Sequence, residues 1–173
     1  NTGASVRVMP IDLGGKVFPI SGGLPLGQRA PQRQAYRLVE LQRFSRFLQL
    51  PLNLHPRFFP VSGDDAARLI IAVALHDGDP AAMQLCDALL KVVWVQERNL
   101  ADHAVLAEVL QAQHLPAERL SQSLQANVQA VYQAHTEEAL ALGVFGAPTY
   151  VVQGELFWGQ DRLDFLERRL QAG

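Results

Sequence analysis

Apolar residues recur every three or four positions through most of the chain, and the pattern shortens to strand-like runs only at its two ends. Tyr36, Leu38, Leu41, Phe44, Phe47 and Leu48 form one such stripe, which predicts an amphipathic helix over 32–50 with Arg33, Arg37, Arg43 and Arg46 mainly off it. After an extended 51–60 segment, Ser62 followed by Asp64 and Asp65 gives a helix start with acids in the first turn. From there the pattern predicts almost continuous helix at about 64–76, 80–97, 102–113, 117–126 and 127–142. The breaks fall at Gly78-Asp79-Pro80, Asn99, Pro116 and near Ala126. Upstream, 6–13 (Val-Arg-Val-Met-Pro-Ile-Asp-Leu) predicts a strand with Pro10 at an edge or bulge, closed by Gly14-Gly15. The Pro- and Gly-rich 16–31 stretch has no period and predicts a long loop.

The pattern is densest at 143–162. A glycine-bounded Val144-Phe145 is followed by Pro148, a β-branched and aromatic run, Gln153-Gly154 and a second apolar run, which predicts a β-hairpin. Pro148 stands at the first residue of a strand, where its missing donor is tolerated, and we expect the Ala147–Pro148 bond to be cis. The adjoining carbonyl and amide would then lie open to a peptide-like ligand. Asp161 starts the last helix, predicted to turn Leu163, Phe165, Leu166 and Leu170 inward. The order is strand, helical block, hairpin, helix, with no repeat of fixed period.

Composition narrows the functional classes. A chain of 173 residues suits one core or one core with a helical subdomain. A net charge of -2 with scattered arginines gives no field for nucleic acid or an anionic membrane, and neither partner is expected. With one cysteine, Cys86, the chain has no Cys-x-x-Cys pair of its own, and reducing, cytoplasmic surroundings fit best. Cys86 sits on an apolar stripe beside Leu85 and Leu89 and reads as inert core. The five histidines form no metal-ligand pattern, so no metal is expected.

The motif Gly143-Val144-Phe145-Gly146-Ala147-Pro148-Thr149, followed by Gly154-Glu155-Leu156-Phe157-Trp158-Gly159-Gln160-Asp161-Arg162, closely resembles 2-hydroxychromene-2-carboxylate isomerases. These are thioredoxin-like relatives of kappa-class glutathione transferases and DsbA-type oxidoreductases. Matches continue at Thr136-Glu137-Glu138-Ala139, Trp94, Asn99-Leu100, Val105-Leu106, Arg33, Tyr36, Glu40, Leu41, Arg43 and Phe59-Pro60, nearly the whole chain. The resemblance implies an α/β fold: a thioredoxin-like part at 1–32 and 143–173, interrupted by a helical insertion at 33–142. It also implies glutathione as cofactor, a small aromatic carboxylate as substrate, cis-trans isomerisation in aromatic catabolism, and a homodimer.

The family's first strand, with its Phe-Asp-Phe-type run and a serine facing the glutathione sulfur, has no counterpart before Val6. No catalytic residue is therefore assigned within the sequence. An N-terminal piece lying outside it is expected rather than a rebuilt fold, and a chain truly lacking the serine should be weak or inactive. Smaller departures are Arg33 for a common Lys, Glu40 for Asp, Val61-Ser62 where Asn is usual, and His135 for Asn.

By the resemblance, Ala147 and Pro148 hold the cysteinyl part of glutathione, although a proline there can simply start a strand. Gln160 and Asp161, at a helix start, take the γ-glutamyl end; Asp161 can equally be an N-cap. Arg33 is a carboxylate clamp or a solvated arginine. Trp94 lines the substrate pocket or packs as core, Asn99 orients substrate or stops a helix, and Trp158 reads as core. A kappa-type glutathione transferase or peroxidase, and a non-catalytic peptide-binding module, are the alternatives.

Overall fold

The computed structural model describes residues 3–172. Its core is helical. α3 (Asp64–Asp77) and α4 (Asp79–Trp94) lie together, α5 (His103–Ala112) packs on α4, and α6 (Glu118–Gln122) and α7 (Ala126–Ala141) pack on α3. Leu69, Ile70 and Val73 of α3 meet Leu85, Leu89 and Val92 of α4 and Leu106 and Leu110 of α5 in one continuous apolar cluster. The link from α3 to α4 is Gly78 alone, at φ +89°, a conformation that glycine supplies at little cost. Asp102 caps α5, accepting from the Ala104 amide at 2.9 Å. Arg119 of α6 clamps Asp77 at the end of α3 through Nε and Nη2, at 2.7 and 2.9 Å.

Two helix ends differ from the pattern reading. α4 stops at Trp94 rather than 97: the Asn53 amide takes the Trp94 carbonyl (2.7 Å) and its side chain takes that of Val95 (3.1 Å). α6 is shorter than 117–126, because Gln125 is extended and serves as the residue before α7.

The strand expected at 6–13 is absent among the described residues. The helical block captures that segment's donors. The Val8 amide donates to Asp79 Oδ1 (2.9 Å), the Asp12 amide donates to Thr136 Oγ1 (3.0 Å), and Arg7 pairs with Glu138. Pro10 has no amide to give. An arm stitched to α4 and α7 by side chains has no ladder left to form. The following stretch is not one loop either. It holds a wide turn at Leu13–Val17, the short α1 (Phe18–Ser21) and a tight turn at Leu26–Gln28.

α2 (Pro31–Leu48) forms where predicted, yet no residue of it is buried: Phe47 is 79% exposed, while Leu38, Leu41 and Phe44 are half-buried. β1 (Thr149–Val152) and β2 (Glu155–Trp158) pair antiparallel from Thr149↔Trp158 to Val152↔Glu155, across a Gln153-Gly154 turn with φ of +51° and +85°. Two positive φ values at the turn match the twist of the flanking strands. After a tight turn at Gln160–Arg162, α8 (Leu163–Gln171) begins, slightly later than predicted. Its Arg169 pairs with Glu155 at 3.2 Å. Leu166 and Leu170 face the hairpin half-buried, but Leu163 and Phe165 are exposed, contrary to the inward stripe expected.

Candidate functional site

The hairpin entrance is built around a buried glycine. A Cβ at Gly146 would lie 2.5 Å from Trp158 Nε1, so the indole lies directly over the backbone there. The Phe145 ring lies tilted against the same indole, with centroids 4.9 Å apart and planes at 59°. Trp158 is thus 51% exposed at the rim of the entrance, not a core residue as the apolar run suggested. A strand with solvent on one side accounts for this, because alternate side chains leave the core.

Ala147 and Pro148 are exposed, and the bond between them is cis, as is Phe59–Pro60. The Gly159 amide donates to the Pro148 carbonyl at 2.9 Å. That bond sets the alternation of the ladder: Pro148, Tyr150 and Val152 point their main-chain groups toward β2, while Ala147, Thr149 and Val151 point theirs away. Neither main-chain polar group of Ala147 has a hydrogen-bond partner among the described residues.

Gln160 and Asp161 follow directly after Gly159, which this bond ties to Pro148, and both are exposed. The Asp161 carboxylate does not cap the helix; it pairs with Arg162 at 2.6 Å, in a solvent-exposed contact of little worth. Its other lone pairs remain available.

A second concavity lies elsewhere. A cleft of about 320 Å³ opens between α2 and the 54–60 segment, walled by Leu26, Leu38, Leu54 and Pro60 and carrying Arg37 and Phe59. Trp94 packs on Phe59 with centroids 4.6 Å apart, and the Arg37 guanidinium stands 5.1 Å from the Phe59 ring and 5.5 Å from that of Trp94. Burial, with Arg29 adding to it, pulls the Arg37 pKa down from its ordinary value.

The 13–30 segment joins these places. Ser21 Oγ donates to the Phe145 carbonyl (3.4 Å), Gln34 Nε2 donates to the Arg29 carbonyl (2.7 Å), and Leu26 lines the cleft.

The sequence candidates distribute unevenly over this geometry. Ala147 and Pro148 form the hairpin entrance, and Gln160 and Asp161 follow Gly159, whose amide bonds the Pro148 carbonyl. Trp94 abuts the cleft. Arg33 is exposed in the first turn of α2, outside the cleft lining, with no acidic partner among the described residues. Asn99 Oδ1 accepts from the Ala101 amide at 3.1 Å, closing a local turn after α4. Arg37 and the 13–30 bridge were not picked out from the sequence; the only signal was an arginine four residues after Arg33 on a helix holding an aromatic stripe. Cys86 is half-buried, and burial followed by Asp87 pushes its thiol pKa up, away from nucleophilic use.

A family model for the DSBA-like thioredoxin domain matches residues 1–171. The chain belongs to that family. Its fold is accordingly thioredoxin-like and DsbA-type, helix-rich, with a small two-stranded sheet among the described residues. The chain is similar to a 2-hydroxychromene-2-carboxylate isomerase of Sphingobium xenophagum, 26% identical over 170 residues, spanning 98% of this chain and 84% of that protein. A Pseudomonas putida protein of the same name is 26% identical over 168 residues, spanning 95% and 79%. A solved structure of 2-hydroxychromene-2-carboxylate isomerase superposes with a TM-score of 0.75 at 23% identity, covering 96% of this chain and 79% of that one. At that identity the likeness speaks for the fold. Among the described residues no helix is long and apolar enough to cross a membrane.

Proposed function

We propose that the chain is a glutathione-dependent isomerase of the 2-hydroxychromene-2-carboxylate type. The observation that supports this reading is the exposed Ala147 main chain, whose amide and carbonyl have no partner among the described residues, with exposed Gln160 and Asp161 following Gly159, itself bonded to Pro148. Near-full-length similarity to two proteins named for that activity supports it.

Glutathione, when bound, supplies a sulfur nucleophile that adds reversibly to a conjugated system and so lets a former double bond rotate. The chain's own groups bind and orient. The Ala147 amide and carbonyl pair with the cysteinyl main chain, as one strand pairs with another. Asp161 holds the α-ammonium of the γ-glutamyl end, and Gln160 lies beside it. Trp158 and Phe145 shield the entrance from water on one side. No residue of the chain is assigned to activating the sulfur, so binding and turnover are tested separately.

In calorimetry, glutathione is expected to bind one-to-one, and spectrally followed turnover of hydroxychromene carboxylate is expected to require it. Absence of glutathione binding overturns the proposal. A non-catalytic peptide-binding module is favoured by the same unpaired Ala147 main chain. It predicts binding of extended peptides with no preference for a γ-glutamyl end.

A further inference from the structure

We propose that Arg37 is the residue that selects a carboxylate on the substrate, with the cleft between α2 and the 54–60 segment receiving the aromatic ring. The inference deepens the isomerase reading and rests on it for the reaction, but not for the ligand chemistry.

The charge pattern is the first ground. Arg7, Arg43, Arg68, Arg98, Arg119, Arg162 and Arg169 each pair with an acid. Arg37 has no acidic partner among the described residues, and no carboxylate lines its cleft. Among arginines without such a partner, Arg29 and Arg37 alone are not exposed. Two partly buried guanidiniums facing no acid leave a local excess of positive charge, which an anionic ligand relieves. The 340 Å³ depression between α4 and α5 offers a contrast: its charges already pair as Lys91–Asp87 and Arg98–Glu108, leaving nothing for a ligand to complete.

The second ground is orientation. Arg37 rests against the faces of Phe59 and Trp94, which fixes the guanidinium in place while leaving its N–H edge open. That planar fork matches a carboxylate through two parallel hydrogen bonds, a geometry lysine does not reproduce. Leu26, Leu38, Leu54 and Pro60 supply apolar walls for a flat ring. The volume of about 320 Å³ suits an acid of one or two rings. Arg29, tied to the Leu24 carbonyl at 2.9 Å, holds the second positive charge nearby without entering an ion pair.

The division of labour differs from the one the sequence suggested. Arg33, exposed and off the cleft, has no part in carboxylate selection, and Trp94 is a platform for the guanidinium.

The test uses the full chain without glutathione, with salicylate as the acid probe and salicylamide as its neutral counterpart. The chain has two tryptophans, so two indole N–H signals report on it by NMR, assigned by Trp158→Phe. Salicylate is expected to shift the Trp94 signal saturably, leave that of Trp158 in place, and bind at least about 10-fold tighter than salicylamide. Arg37→Gln should remove that preference, Arg37→Lys should retain part of it, and Arg33→Gln should leave it intact. If Arg37→Gln fails to fold, the wild-type preference and the Arg37→Lys titration still decide. No saturable Trp94 shift, equal affinity for acid and amide, or the loss appearing in Arg33→Gln instead overturns the proposal. Failure of the chain to bind glutathione would remove the isomerase reading but leave this result standing.

Discussion

The α3–α5 block and the hairpin end of the molecule are held together in opposite ways. In the block, Leu69, Leu85, Leu106 and Leu110 are fully buried and touch one another across three helices. From residue 143 onward, Val144 and Phe157 are the buried apolar side chains among the described residues, and ion pairs and ring contacts do much of the rest. Burial stabilises by about 25 cal/mol per Å² of apolar surface, so most of the folding free energy resides in the block. The hairpin end instead keeps its aromatic side chains Phe145 and Trp158 about half exposed. On the proposed function, stability and glutathione recognition are housed apart, and substitutions should separate them.

The largest effect is expected in the block. Leu69→Ala should lower stability by about 2–5 kcal/mol in denaturant unfolding, with glutathione affinity unchanged in the folded fraction. A loss below ~1 kcal/mol would show that the block is not the main store of stability.

Asp77→Asn should follow, at about 1–3 kcal/mol, since it breaks the two-point clamp from Arg119. Arg119 holds the Asp77 carboxyl below its usual range. A depressed carboxyl contributes stability that is fully present above the unfolded value and is lost as pH falls through the folded one. The wild type should lose this contribution below about pH 4, and the variant should not show that loss.

Asp161→Ala should weaken glutathione binding about 10-fold by calorimetry while leaving the melting temperature in place, because the residue is exposed and its pairing with Arg162 is weak. A fall in stability with unchanged affinity would reverse the comparison at that position.

His135 sharpens the contrast by pH. Its Nδ1 is buried without a hydrogen-bond partner among the described residues, and burial, then Arg7, pushes the imidazole pKa down. The folded state therefore resists protonation. The neutral form supports stability fully above about pH 6.5, and stability declines as pH drops below it. His135→Gln should flatten the dependence of the unfolding free energy on pH below about 6.5. The smallest change is expected from Phe165→Ala on α8, within about 0.5 kcal/mol, because that ring is 59% exposed.

How much of this was readable in the sequence depends on whether the signal was local. The Gln153-Gly154 turn, the α3 start at Asp64 and the cis proline were legible because each follows from adjacent residues. The 6–13 arm was not: its Val-Arg-Val-Met run has strand character, but Asp79 and Thr136, more than 70 positions away, take its amides. Trp158 was misplaced for a related reason, since an apolar run does not say which strand face meets a core. Residues 147, 148, 160 and 161 were singled out through the family resemblance, and in the fold a hydrogen bond from Gly159 to the Pro148 carbonyl links the two ends of the hairpin that carry them. Arg37 escaped notice because pattern reading treats an arginine off the apolar stripe as solvated, and only the folded chain brings Phe59 and Trp94 beneath it.

The central claim is that the Ala147 main chain, with Gln160 and Asp161, holds glutathione. Titrating glutathione into the isotope-labelled full chain while following backbone amides tests it most directly. The account predicts saturable shifts at Ala147, Thr149, Gln160 and Asp161, with the amides of α3, α4 and α5 still. Shifts confined to the helical block, or none at any concentration up to about 10 mM, well above the micromolar-to-millimolar range of ordinary ligand affinities, would contradict it.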